Sequence, residues 1–159
     1  MSESARGMYF DGFEPGKRWE TGERTVGVED IEAFAELSGD FNPIHDRRRF
    51  NAEQPLGGSV AHGLLGAAIG SGLTHELGIL DGTTVALLEQ SLRFIAPLRA
   101  GDTVRRRLEV RERRATKRDD RGVVVFFHEL VNQRGETVIE GEMCCLIEKG
   151  ANRDEETRG

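Results

Sequence analysis

Residues 61–77 read Ala61-His62-Gly63-Leu64-Leu65-Gly66-Ala67-Ala68-Ile69-Gly70-Ser71-Gly72-Leu73-Thr74-His75-Glu76-Leu77. The run is apolar nearly all round, and a helix without a wet face is a buried one. Four glycines interrupt it, at 63, 66, 70 and 72. Each costs roughly 1 kcal/mol of helix propensity relative to Ala. That cost predicts that they are kept for close approach of a neighbouring backbone or ligand. The expected place for this segment is a central helix wrapped by a sheet.

Downstream the pattern becomes strand-like over Thr84–Phe94, Thr103–Ala115, Gly122–Asn132 and Glu136–Glu148. Turn signals at Asp119-Asp120-Arg121-Gly122 and Asn132-Gln133-Arg134-Gly135 join the later segments, and the four strands are expected to be successive antiparallel neighbours. Upstream, Arg24–Val28 reads as a short strand, and Ile31, Phe34, Ala35 and Leu37 give helical spacing up to a stop at Gly39. Val28 stands where a Thr or Ser cap would be wanted. A buried helix followed by a meander gives an α+β domain with the helix packed on one curved antiparallel sheet. At 159 residues the chain fits one domain. We place it at residues 13–149, with residues 1–12 and 150–159 as polar, mobile ends. No internal repeat is evident.

Twenty-two Lys plus Arg stand against 28 Asp plus Glu, for a net charge of -6 and a pI near 5.3. That balance disfavours general nucleic-acid binding. Cys144 and Cys145 are adjacent in a strand pattern, so their side chains alternate faces and cannot build a disulfide framework. They suit a reducing, intracellular setting. No C-x-x-C or His-rich spacing offers a metal site. The start of the chain has no apolar run of a signal peptide, and no segment has the roughly 18 uninterrupted apolar residues of a membrane span. A cytoplasmic location is therefore expected. No P-loop and no G-x-G-x-x-G before a helix supports nucleotide hydrolysis or dinucleotide redox chemistry.

Chemistry concentrates in Gly39-Asp40-Phe41-Asn42-Pro43-Ile44-His45. Gly39 permits backbone angles closed to other residues, and Pro43 biases Asn42 toward an extended conformation, so the segment reads as a shaped turn ending a helix. Asp40 and His45 are at most roughly 17 Å apart when extended. A bend at Asn42-Pro43 brings both to one small site able to hold a water. Asn42 is expected to orient Asp40 or the loop through its amide.

The run Leu37-Ser38-Gly39-Asp40-Phe41-Asn42-Pro43-Ile44-His45, followed by Ala61-His62-Gly63-Leu64-Leu65, resembles the signature of the MaoC-like, R-specific enoyl-CoA hydratases (hydratase 2 family). Arg93-Phe94-Ile95-Ala96-Pro97 and Gly101-Asp102-Thr103 extend the resemblance, which covers roughly residues 17–148. It implies a hot-dog fold and reversible syn hydration of trans-2-enoyl-CoA to (R)-3-hydroxyacyl-CoA. Asp40 and His45 would hold the water, with no cofactor beyond the coenzyme A of the substrate. It also implies a homodimer in which one sheet continues across the interface and the acyl-pantetheine tunnel lies between the subunits. The thioester would be that of coenzyme A or an acyl-carrier protein. Two other readings stand beside this one: an acyl-thioester-binding protein without catalysis, and an acyl-CoA thioesterase.

The chemical demands match the residue types. Water must lose a proton to attack C3 while C2 gains one, and a carboxylate beside an imidazole supplies both halves. Which of the two is formally the base is not fixed by sequence. Gly63 stands where the apolar helix begins, so its N–H is one of the unpaired first-turn donors and the dipole there favours negative charge. The resemblance assigns it the thioester oxyanion; the competing reading is a glycine kept for packing. His62 is either a helix-start residue bonded to backbone or a proton donor, and we assign it a supporting role. Ser71 aligns with a serine near the dyad in that family, or is simply a small packing residue. His75 and His128 read as structural or exposed. Arg47-Arg48-Arg49 and Arg105-Arg106-Arg107 are candidates for the nucleotide end of coenzyme A or solvated charge.

Overall fold

Strand β1 spans Arg18–Thr25, helix α1 Val28–Ser38 and helix α2 Gly63–Glu76. Strands β2 (Thr84–Gln90), β3 (Arg93–Phe94), β4 (Thr103–Ala115), β5 (Arg121–Val131) and β6 (Thr137–Glu148) follow. The computed structural model describes residues 7–46, 48 and 60–150. All strands join one antiparallel sheet in the order β1-β4-β5-β6-β2, with β3 also paired to β6. Register shifts in β1, β2 and β4 bend the sheet around α2. This is the hot-dog arrangement.

Helix α2 fits that place because its inward face is both apolar and slim. Leu65, Ile69 and Leu73 pack with Leu98, Val104, Leu130, Val138 and Ile139 in one core cluster. Each such buried side chain is worth about 1.5–3 kcal/mol. Between them a Cβ on Gly66 would lie 2.7 Å from Ile139 Cδ1, and one on Gly70 would lie 3.3 Å from Arg106 Cδ. What approaches these two glycines is side chains of the sheet, not the neighbouring backbone or ligand the sequence predicts. A second cluster at the other end of the sheet centres on Phe13 and Phe126, whose rings meet edge to face at 5.5 Å.

Several sequence expectations are corrected. The first strand is Arg18–Thr25, not Arg24–Val28, and Val28 begins α1. The cap is Gly27, which has no side chain to accept a first-turn N–H; its own N–H donates to Asp30 Oδ2 at 2.8 Å, the reciprocal half of a capping box. The segment Thr84–Phe94 is two strands, because Ser91 leaves the ladder to exchange bonds with Glu142 through its N–H and its hydroxyl. β2 pairs with β6 at the far edge, not with β4, so only β4, β5 and β6 form the expected meander. Helix α2 is not buried all round: Leu64, Ala68, Ser71, Gly72 and His75 recur at helical spacing on an exposed face. Finally, residues 7–12, placed with the mobile end, are tied down. The Gly7 and Met8 N–H groups donate to Asp81 and Ile79 carbonyls, and Phe10 is buried.

The arginine run Arg105–Arg107 is also redistributed. Arg105 and Arg107 pair with Glu20 across β1, and Arg105 also reaches Glu23. Arg106 points inward with Val104, Leu108 and Val110 and is 3 % exposed. Its Nη1 donates to Thr74 Oγ1 at 2.9 Å, and burial lowers its pKa to about 10, leaving it charged at neutrality. His128, equally buried on β5, is pushed down to about 4 by burial first and by the Arg106 charge second. The folded state therefore holds His128 neutral, whereas the unfolded chain takes up a proton below its ordinary value of about 6.5. Its contribution is full above pH 6.5 and is lost as pH falls from there toward 4. Between pH 7.5 and 5 this amounts to about 2 kcal/mol. Urea midpoints of the parent protein and His128→Asn should show the variant losing less stability over that interval. Equal losses would contradict the burial argument.

Candidate active site

The turn after α1 is built from side chains that satisfy backbone. Gly39 closes the helix in the left-handed region at φ 76°, with its N–H on Ala35 O at 2.8 Å. Ser38 Oγ donates to Phe34 O and accepts the Asp40 N–H. Asp40 Oδ1 then accepts the Asn42 N–H at 3.2 Å, and Asn42 Oδ1 accepts the Ile44 N–H at 3.3 Å. A 3-10 turn at Pro43–His45 follows. Of the two roles expected for Asn42, its side chain takes the second: it orients the loop by capping the turn that carries His45, while Asp40 accepts from the Asn42 backbone.

These bonds aim two groups at each other. Asp40 Oδ2 lies 3.8 Å from His45 Nε2, with the Asp40 side chain 52 % exposed and that of His45 10 % exposed. His45 Nδ1 is 2.5 Å from the Val60 carbonyl oxygen. A carbonyl only accepts, so Nδ1 carries a proton, and in the neutral ring Nε2 presents its lone pair toward Asp40. The sequence contained no signal for Val60, which acts through its backbone.

His62 precedes α2 and is 3 % exposed. Its Nε2 donates to the Asp40 carbonyl at 2.9 Å, and its ring stacks on His45 at 3.7 Å and 24°. This is the backbone-bonded helix start of the two readings given above. Asp40, His45 and His62 offer ligand atoms within 4.8 Å of one another. They do not suit a metal, because an ion about 2.0–2.1 Å from a nitrogen in each ring plane cannot lie in both planes of a stacked pair.

Gly63 opens α2, and among the described residues its N–H has no hydrogen-bond acceptor. A Cβ there would sit 2.4 Å from the Phe94 ring. Both readings of this glycine therefore have structural support: a free first-turn donor, and a place too tight for a side chain. Two grooves meet at His45. One runs along α1 past Val28, Ile31, Ala35 and Phe41; the other passes Ile44, Val60, Gly63, Leu64, Phe94 and Pro97. Ser71 is exposed on the outer face of α2, about 12 Å along the axis from Gly63, and is not brought against the dyad. His75 is exposed and His128 lies in the sheet core. Arg48 pairs with Asp46; Arg47 and Arg49 lie outside the described residues.

Because Gly63→Ala keeps the N–H, its effect must come through Phe94. We expect it to lower turnover at this site at least about tenfold, and Gly63→Ala/Phe94→Ala to recover most of the loss. A double variant no better than the single one would place the cost elsewhere.

The sequence matches the family model described as MaoC like domain over residues 12–129. It is 37 % identical over 113 residues to a 3-hydroxybutyryl-CoA dehydratase of Methylorubrum extorquens, covering 70 % of this chain and 69 % of that one. It is 33 % identical over 119 residues to an (R)-specific enoyl-CoA hydratase of Aeromonas caviae, covering 75 % and 84 %. The structure of the R-hydratase PhaJ1 of Pseudomonas aeruginosa superposes with a TM-score of 0.75 at 29 % identity, covering 91 % of this chain and 88 % of that one. The chain belongs to the MaoC-like dehydratase domain family.

Proposed function

We infer that this protein is a hydro-lyase that reversibly adds water to trans-2-enoyl-CoA to give (R)-3-hydroxyacyl-CoA. The observation that carries the reading is the 3.8 Å gap between Asp40 Oδ2 and His45 Nε2. A water making hydrogen bonds of about 2.8 Å to both would subtend an angle of about 85°, within reach of its two O–H directions. Held so, it directs a lone pair at C3 of the alkene. One water proton passes to Asp40 or His45 as the C3–O bond forms, and the group that took it up returns a proton to C2 from the same side, so the water supplies both atoms and the addition is syn. The half-exposed carboxylate and the Nε2 lone pair are both acceptors for that water. Negative charge developing on the thioester oxygen falls to the Gly63 N–H, a type of donor worth about 10²- to 10³-fold in rate.

The names of the relatives support this substrate class. No cofactor enters the scheme, and coenzyme A is part of the substrate. Purified protein should consume crotonyl-CoA with loss of the conjugated thioester absorbance. Release of free thiol without hydration would favour a thioesterase, and tight binding without turnover a non-catalytic acyl-thioester carrier. Chiral analysis of the product should give R-3-hydroxybutyryl-CoA; predominance of the S product would overturn the placement of water against the alkene.

Asp40→Asn and His45→Ala should each lower turnover by about 10²- to 10⁴-fold while leaving the fold intact, since neither side chain belongs to the core clusters. Either variant retaining half the parental rate with normal folding would remove that residue from the mechanism.

We further propose a homodimer. Among the described residues β2 is paired only on its β6 side, and Val85, Leu87 and Leu88 on it are 42–55 % exposed. Leu64, Phe94 and Ile95 are exposed beside the second groove. A second copy covering them would pair the open edge and give the acyl-pantetheine arm a second wall, burying more than about 1,200 Å² in total. Sedimentation at micromolar concentration should give twice the 17.7 kDa chain mass. A fully active monomer would show that one chain builds the whole tunnel. The substrate class and the two unpaired cysteines are consistent with a cytoplasmic site of action. No helix among the described residues is long and apolar enough to cross a membrane.

A further inference from the structure

His62 touches all three parts of the proposed machinery without lying in either groove. Its Nε2–H holds the Asp40 carbonyl, its ring face lies on His45, and its backbone is the cap that precedes Gly63. Phe34 of α1 packs on it at 4.9 Å, so the ring is clamped between α1 and His45. The carbonyl of Asp40 only accepts, so the proton of the neutral ring is on Nε2 and is committed. The other nitrogen, Nδ1, is buried with no partner. Neither nitrogen is open to a substrate, which argues against proton transfer by this residue.

We propose that His62 is a positioning residue that fixes Asp40 Oδ2 and His45 Nε2 relative to the Gly63 N–H. This rests on the hydratase reading above. The carboxylate and imidazole stand on one turn and the amide on another element some twenty residues later; His45 ties the turn to Val60, and His62 ties it to the residue that caps α2 directly before the amide. Loosening that link should spoil the reacting geometry more than substrate binding, because a misplacement of about 1 Å in a catalytic group can cost 10²-fold.

Two substitutions separate the hydrogen bond from the ring. In Gln the Nε2 amide is as many bonds from Cα as His Nε2, so His62→Gln keeps a donor for the Asp40 carbonyl and gives up the stack. His62→Phe keeps the stack and gives up the donor. With crotonyl-CoA we expect kcat of His62→Gln to exceed that of His62→Phe by tenfold or more, with KM of both within threefold of the parent. A ratio below ten, or a larger change in KM, overturns the proposal. Imidazole ¹⁵N shifts of the unsubstituted protein give a readout that needs neither variant folding nor turnover. They should place protons on Nε2 of His62 and Nδ1 of His45, and the opposite tautomer of His62 overturns the proposal. An unsubstituted protein without hydratase activity would sink the functional reading, while the tautomers would still decide the placement of His62.

Discussion

The approach of α2 to the sheet is the constraint on which the rest depends. A Cβ on Gly66 would meet Ile139 below contact distance and one on Gly70 would press on Arg106, so the helix axis is set by backbone against side chain. Its height above the sheet fixes where its first turn lies, and therefore where the Gly63 amide lies. Phe94 closes the other side of that amide at a distance no alanine would tolerate. Glycine's cost in helix propensity is offset here by the packing of Leu65, Ile69 and Leu73 into one cluster.

The turn after α1 uses a different physical device. Its polar side chains first satisfy backbone and only then face the site: one oxygen of Asp40 is held by Asn42, and the other is left for chemistry. His45 is treated in the same way, its Nδ1 tied to Val60 and its Nε2 turned to Asp40. Each group thus has one end fixed by main chain and one end free, the condition for preorganisation without side-chain freedom to lose. The aromatic contact between His45 and His62 carries this order on to α2.

The features written locally were legible in sequence. Gly39, Asn42-Pro43 and the dyad spacing announced a shaped turn, and the apolar run at 61–77 announced the central helix. Pairings between distant segments were not, because a strand pattern carries alternation but no partner, and chain order alone predicts β2 beside β4 rather than β6. The buried Arg106 had a signal that residue type obscured, since Val104, Leu108 and Val110 share its face at period two. Phe94 lay within the family resemblance, yet its contact with Gly63 depends on a strand break at Ser91 that no local pattern marked. The exposed face of α2 is not legible because its apolar composition alone predicts burial, whereas the sheet covers only the side bearing Leu65, Ile69 and Leu73.

That a single site between Asp40 and His45 supplies both the hydroxyl and the proton is the centre of this account. Hydration of crotonyl-CoA in D₂O tests it most directly, because the proton coupling between C2 and C3 of the product reports the relative faces on which deuterium and hydroxyl were added. The account predicts deuterium at C2 on the same face as the new hydroxyl at C3. Deuterium on the opposite face would require a proton donor across the substrate from the dyad and would contradict it.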